Sequence, residues 1–265
     1  MRIVPTRAPP ALVLWVGGPM RPHEHDRMFR AETEHFWFVG TRGVILTLLR
    51  NALGPRVEHA TLLDMGCGTG YTLSRLPRGM RAVGLDYSEH ALTLAERRAP
   101  GVELVRGSAY HLPFADGAFD AVLALDVLEH LDDDQRAARE IARVLAPGGV
   151  AVVAVPAVRW LWSDHDVALE HRRRYHLPEL EVVLEQAELH IEHSSYYNTL
   201  LFPLVAARRL SARIWSPPED TPRSDLVVPP GPINRSLSAI LAFERFLVPR
   251  VKLPFGVSCF AIARR

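Results

Sequence analysis

The chain has 265 residues, 48% of them hydrophobic and 23% charged, with a formal net charge of +1. Ample apolar residues offset ordering entropy, which excludes disorder as the main state, and 31 basic residues against 30 acidic ones exclude a global electrostatic signature for nucleic acid. Two cysteines, Cys67 and Cys259, are too few for a disulfide framework or a cysteine zinc site, so no metal is expected and a reducing, cytoplasmic setting is. Lys252 is the only lysine, which reads as coding bias.

Residues 1–20 read as a flexible leader, or as sequence upstream of a later start at Met20 or Met28. Arg2 and Arg7 precede the apolar run Ala11–Val16, but Pro9 and Pro10 intrude and the run is too short for a secretory signal. No stretch approaches the ~20 apolar residues of a membrane span. Residues 21–60 are expected as a lid, helical from Asp26 to about Leu53, with an aromatic cluster at Phe36, Trp37 and Phe38. Residues 61–197 are the core. Strands are expected at Thr61–Met65, Arg81–Leu85, Val102–Val105, Phe119–Leu125 and Val150–Val155, with helices at Tyr71–Leu76, Ser88–Arg98 and Asp132–Leu145 between them. This alternation implies a doubly wound α/β sheet with helices on both faces. A polar, His- and Arg-rich loop covers 156–176, then a helix at Pro178–Ala187 and a strand at Leu189–Tyr197. Residues 198–255 look like a helical insertion, with helices at Thr199–Ile214 and Ile233–Val248 around a Pro-rich connector (Pro217, Pro218, Pro222, Pro229, Pro230, Pro232). Residues 256–265 supply the final strand, at Gly256–Ala263.

The most informative stretch is Leu62-Leu63-Asp64-Met65-Gly66-Cys67-Gly68-Thr69-Gly70. Three glycines remove side chains where a strand turns into a helix, so a ligand can press against the backbone. A dinucleotide fingerprint wants a further glycine where Tyr71 stands. Asp64 at the strand end repels phosphate and suits a cationic amine, which argues against NAD. The next strand ends in Gly84-Leu85-Asp86-Tyr87-Ser88, where Asp86 can accept hydrogen bonds from two ribose hydroxyls. The plainer role, helix N-cap, falls better to Ser88.

With Leu112-Pro113-Phe114, Phe119-Asp120, Asp126-Val127-Leu128-Glu129-His130 and Leu145-Ala146-Pro147-Gly148-Gly149, these segments resemble the class I S-adenosylmethionine-dependent methyltransferases, most of all the branch with ubiquinone- and menaquinone-type enzymes. The resemblance implies a Rossmann-like sheet of seven strands with the last antiparallel, and S-adenosylmethionine as cofactor. It places Gly66, Cys67, Gly68 and Gly70 at the methionine part, Asp64 at its amine, Asp86 at the ribose, Tyr87 beside the adenine and Ser108-Ala109 along that ring. Leu125 and Asp126 would lie near the methyl donor. Ser108 departs from the family, whose members often carry Asp there.

Methyl transfer from a sulfonium needs positioning and exclusion of water, and a base only where the acceptor loses a proton. His165, flanked by Asp164 and Asp166, and His171 are the candidate bases. The arginines 172–174 could bind a carboxylate or phosphate, and Arg172, Arg173 and Tyr175 are candidate acceptor contacts, as are Trp37 and Phe38 facing in from the lid. The alternative is that the loop residues cap the helix near Pro178 and pair with one another. In the insertion, Leu200, Leu201, Phe202, Leu204 and Val205 precede Arg208, Arg209 and Arg213, a pattern for a core cap, a dimer face, or an anionic membrane and a lipid-sized acceptor. The expected function is methylation of a small or lipid-linked acceptor, at a hydroxyl oxygen. Carbon methylation of a quinone-like or prenyl acceptor, a non-catalytic cofactor-binding subunit and a peripheral membrane adaptor are the rivals.

Overall fold

Short apolar runs bounded by turn residues become seven strands: β1 (Thr61–Met65), β2 (Arg81–Asp86), β3 (Glu103–Arg106), β4 (Phe119–Leu125), β5 (Leu145–Pro156), β6 (His190–Tyr197) and β7 (Ser258–Arg264). The computed structural model describes residues 20–215 and 226–265. The expected leader, apart from Met20, and Pro217, Pro218 and Pro222 of the connector lie outside the described residues. One sheet holds all seven strands in the order β3-β2-β1-β4-β5-β7-β6. Its first five strands pair in parallel, and β7 runs antiparallel to β5 and β6 on either side of it. The expected Rossmann-like arrangement therefore stands.

The eight helices described are α1 (Pro22–Ala31), α2 (Phe36–Leu53), α3 (Glu89–Arg98), α4 (Asp134–Val144), α5 (Asp164–Ala168), α6 (Leu177–Glu185), α7 (Phe202–Trp215) and α8 (Gly231–Leu247). Strand β4 shows why helices cover both faces of the sheet. Val122 and Ala124 enter the core on the side of α4 and α6, while Ala121 and Leu123 enter the core on the side of α2. A strand buried on both faces reads as a continuous apolar run. Among the described residues no helix is long and apolar enough to cross a membrane.

Three expectations change. The single N-terminal helix is two, because His35 starts α2 afresh, its ring nitrogen accepting the Trp37 amide at 3.2 Å. Periodicity does not see the joint, since residues 32–35 are polar in either reading. Tyr71–Leu76 forms only one 3-10 turn at Leu73–Arg75, and Leu76 is extended (φ −65°, ψ 154°) because Pro77 follows it. The helix expected from Asp132 starts at Asp134, because Asp133 caps it by accepting the Arg136 amide at 2.9 Å.

The insertion is tied to the lid. At Gly40 of α2 a Cβ would sit 2.4 Å from Leu241 Cβ, so the missing side chain lets α8 lie against α2. Asn234 of α8 accepts the Phe36 amide at 2.9 Å and donates to Glu34 carbonyl at 2.7 Å, which fixes the joint between α1 and α2. Buried Glu244 accepts the amides of Asn198 and Leu200 at 2.6 and 2.7 Å, anchoring the start of the insertion.

Candidate active site

In open α/β sheets ligands bind at the carboxyl ends of strands where the strand order reverses. Here that point lies between β1 and β4. A cavity of about 400 Å3 opens there, lined by the β1 turn, the ends of β2 and β4, the lid, the 156–176 loop and the insertion.

The turn after β1 is built by backbone. Gly66 and Cys67 donate to the Leu85 carbonyl at 2.7 and 3.0 Å, and Gly68 donates to Asp86 Oδ2 at 2.9 Å. Gly66 has φ +75°, and a Cβ there would stand 2.4 Å from Val127 Cγ2, so only glycine fits. At Gly68 (φ +52°) a Cβ would meet nothing within 4 Å, which leaves an open cradle over the backbone. Gly70 does not line the cavity. It packs on Ala95 of α3, the close helix approach that its lack of a side chain allows.

Asp64 is 2% exposed, and its Oδ2 has no hydrogen-bond partner. Burial pushes its carboxyl up to about 7, against the pull of Arg42. A buried carboxylate of this kind calls for a cationic partner. Asp86 also accepts the Ser88 amide at 2.8 Å, and Ser88 caps α3 by accepting the Ala91 amide. Burial raises the Asp86 carboxyl, and the Ser88 and Gly68 amides oppose that rise. Cys67, Tyr87, Ser108, Ala109, Leu125 and Asp126 all line the cavity, as do Trp37 and Phe38 from the lid. Asp126 holds a left-handed backbone (φ +55°) at the end of β4.

The lid is clamped to the glycine turn. Thr69 and Arg98 both donate to buried Glu32, Arg98 also reaches the Phe29 carbonyl, and Arg98 Nη1 donates to Thr69 at 2.8 Å.

The 156–176 loop corrects several expectations. Asp166, expected to orient His165, commits its carboxylate elsewhere. Oδ1 faces His171 Nδ1 at 2.9 Å and Arg174 Nε at 2.8 Å, while Oδ2 accepts Arg174 Nη2 at 3.1 Å and the Ser163 amide at 3.0 Å. The reason is the capping box of α5, which folds Asp166 back toward Ser163 and away from His165. Burial pushes Asp166 up, but the bonds from His171 and Arg174 outweigh it and hold the carboxyl well below its usual range. His165 and His171 both line the cavity, with ring centroids 6.4 Å apart.

Arg172, Arg173 and Tyr175, expected to contact the acceptor, do not line the cavity. Arg172 pairs with Asp132 at 3.3 Å. Arg173 reaches Asp134 and the carbonyls of Leu131 and Asp132, and the Tyr175 hydroxyl donates to Asp134 at 2.6 Å. Together they tie the loop to the start of α4, where carboxylates and unpaired carbonyls attract them. Arg174 is the arginine of this run that faces the cavity.

Sequence reasoning gave no role to two cavity residues, His25 of α1 and Arg42 of α2. Burial lowers the His25 pKa against the pull of nearby Asp86. Arg42 lines the cavity with a buried Nε that has no partner. Arg42 stands out only as a charged residue on the mostly apolar α2, and His25 does not stand out at all on the polar α1. Beside His171 stands His130, whose ring is pushed down to about 3 by burial and by His171 and so is neutral.

Residues 63–153 match the family described as a methyltransferase domain. A probable S-adenosylmethionine-dependent methyltransferase of Mycolicibacterium smegmatis is 33% identical over 162 residues, 60% of this chain and 61% of that protein. Residues 63–153 are a methyltransferase domain. The methyltransferase domain also resembles the demethylmenaquinone methyltransferase of Renibacterium salmoninarum, 38% identical over 108 residues, 40% of this chain and 45% of that one. In structure the chain matches the geranyl diphosphate C-methyltransferase of Streptomyces coelicolor, solved with S-adenosyl-L-homocysteine. The TM-score is 0.55 at 18% identity, over 82% of this chain and 74% of that one. The chain thus spans 61% and 45% of the two curated relatives' lengths. Outside the matched methyltransferase domain lie the lid, the 156–176 loop and the insertion, which close the cavity from above.

The cavity of the methyltransferase domain fits its cofactor. The unpartnered Asp64 carboxylate meets the need of an ammonium, the cradle at Gly68 admits a ligand against the backbone, and Asp86 remains able to accept further hydrogen bonds. A pH dependence follows. If Asp64 receives the cofactor's ammonium it must do so ionised, so below pH ~7 a proton would have to leave before binding. Affinity for S-adenosylmethionine is expected to rise from pH 6 to pH 8, by up to about tenfold per unit below 7. Calorimetric titration across that range checks it, and Asp64→Asn should flatten the curve while weakening binding throughout.

Proposed function

We propose that this chain transfers methyl from S-adenosylmethionine to a hydroxyl oxygen of an apolar, lipid-like acceptor held at a membrane surface. The observation that carries the reading is one cavity joining the glycine turn to His171, whose ring Asp166 orients. The cofactor supplies a sulfonium-bound methyl group. Asp64 and Arg42 are suited to the amine and carboxylate of its amino-acid end, and Asp86 to the ribose. The lid and the insertion exclude water from the transfer, which is an in-line displacement. His171 donates its Nδ1 proton to Asp166, so the lone pair at Nε2 is free to receive the proton of an acceptor hydroxyl.

His171→Ala is expected to cut turnover of a hydroxyl acceptor about 100-fold or more, with the affinity for S-adenosylmethionine unchanged. Single-turnover assays against hydroxylated lipids, glycosides and phenols measure it. Full turnover in the variant would instead favour a carbon acceptor, the chemistry of a quinone-like or prenyl substrate. Absence of turnover on every acceptor, with the cofactor bound, would favour a non-catalytic subunit.

The membrane part of the reading rests on the outer face of α8. Ile240, Phe243 and Phe246 are 38%, 54% and 51% exposed and follow one another at helical spacing. Arg235, Arg245, Arg250 and Lys252 are the exposed charges from 226 to 255, and the one acidic residue there, Glu244, is buried. An apolar stripe with exposed charges of only positive sign complements an anionic bilayer. Val205, Arg208 and Arg209 of α7 and Val227 line the cavity, so the insertion that carries this face also borders the acceptor space. Sedimentation with phosphatidylglycerol vesicles is expected to carry the chain down, weakly at high salt, and not after Phe243→Asp with Phe246→Asp. Self-association through this face without vesicle binding would make it a dimer surface.

A further inference from the structure

We infer that Glu129, His130 and His171 form a binding site for a divalent cation of the zinc type. Glu129 is 0% exposed, and neither carboxylate oxygen has a hydrogen-bond partner. Buried polar atoms are almost always paired, so this carboxyl is built for something the described residues do not supply. Two imidazoles surround it. His171 Nε2 lies 4.0 Å from Glu129 Oε1, the rings of His130 and His171 are 4.8 Å apart, and the donor atoms of all three residues lie within 4.8 Å of one another.

The surroundings are those of a metal-binding imidazole. Asp166 accepts the His171 Nδ1 proton, which fixes the tautomer and leaves the Nε2 lone pair, on the side of Glu129, available to a metal ion. Arg174 in turn fixes Asp166 from two nitrogens. Two imidazole nitrogens and one carboxylate oxygen make a set that suits Zn2+, Co2+ or Mn2+, whereas Mg2+ and Ca2+ favour oxygen alone. Bonds of ~2.0–2.2 Å put donors about 3.4 Å apart, so the three side chains would close on the ion by roughly 1 Å. Asp126, Glu129 and Asp166 outnumber the guanidinium groups of Arg42 and Arg174 around this end of the cavity. Cysteine count and histidine spacing gave no hint of such a site because the fold brings residue 171 to an adjacent pair at 129–130.

The cation's role in the reaction rests on the proposed hydroxyl methylation. Its open position would face the cavity and polarise an acceptor oxygen; His171 would then be a ligand and not the base, and the hydroxyl proton would pass to His165, the other candidate base lining the cavity. Binding itself does not depend on that reading.

The test uses the untagged full chain, stripped with a chelator, titrated with Co2+ by visible absorption and with Zn2+ against a chromophoric chelator. One equivalent per chain is expected, with the ligand-field bands of a low-coordinate cobalt site. Glu129→Gln and His171→Ala should abolish it, while His190→Ala, at an exposed histidine, should not. Unchanged cofactor affinity in Glu129→Gln shows that the variant folds. No saturable binding, or equal binding by Glu129→Gln, overturns the site. If the metal-free chain methylates a hydroxyl acceptor at full rate and His171→Ala does not, the cation's role in the reaction is overturned and direct proton transfer to His171 stands. If one equivalent binds as expected and no hydroxyl acceptor reacts in either form, the cation site stands and the proposed reaction falls.

Discussion

Asp86→Ala is expected to weaken S-adenosylmethionine binding by at least about 100-fold, read by calorimetry at pH 8. The carboxylate has two tasks. It accepts the Gly68 and Ser88 amides, which shape the glycine turn and the entry to α3, and its remaining lone pairs face the cavity. Hydrogen bonds to a charged group contribute about 1.5–3 kcal/mol each, so loss of two ribose contacts alone accounts for the effect. Relaxation of the turn adds to it. Ser88→Ala separates the tasks, since it removes only the helix cap, worth ~1 kcal/mol of stability, and leaves affinity near that of the parent. Unchanged binding in a folded Asp86→Ala chain would remove this residue from the cofactor site.

The second large effect is on stability. Arg174→Met is expected to cost about 3–5 kcal/mol, because it leaves the Asp166 carboxylate buried beside His171 without its guanidinium. Arg174 and Asp166 side chains are 4% and 0% exposed, and Arg174 also donates to the Ala157 carbonyl at 2.9 Å. For a chain of this size that loss lowers the thermal midpoint by roughly 10 °C. Arg173→Met is the comparison. Its pair with Asp134 is partly solvated, at 36% and 12% exposure, so about 1 kcal/mol is expected. A differential scan of the two variants checks the contrast, and equal midpoints would show that the Arg174 pair contributes no more than an exposed one.

That contrast also marks where sequence reading stopped. Arginines 172, 173 and 174 are chemically identical neighbours, and only the path of the loop decides which one enters the cavity. The same holds for Asp166, which serves His171 rather than adjacent His165 because a capping box turns its side chain back. By contrast, β1, β4 and the turn between Met65 and Gly70 were legible, since a strand buried on both faces and a glycine turn each leave a local imprint. Asp64 and Asp86 were legible because strand ends point their residues at the crevice. His25 and Arg42 were not. Each is one polar residue on a helix whose position over the cavity depends on Glu32, Thr69 and Arg98, which are far apart in the chain. The break between α1 and α2 was hidden for a related reason, as its cause is a ring nitrogen capping a helix and not a change in hydrophobic period.

The placement of β7 between β5 and β6 sets an order of assembly. Among the described strands β6 touches only β7, yet it leaves the ribosome some sixty residues earlier. Until Ser258–Arg264 arrive, β5 presents an open edge and β6 has nothing to pair with. The arriving segment pairs with β5 on one side and gathers in β6 on the other, and it brings its own fasteners. Arg264 reaches the carbonyls of Ala52 and Gly148, and Arg265 that of Arg143. A nascent chain stalled before residue 258 would lack the one strand that joins β6 to β5, so the antiparallel end of the sheet could not close.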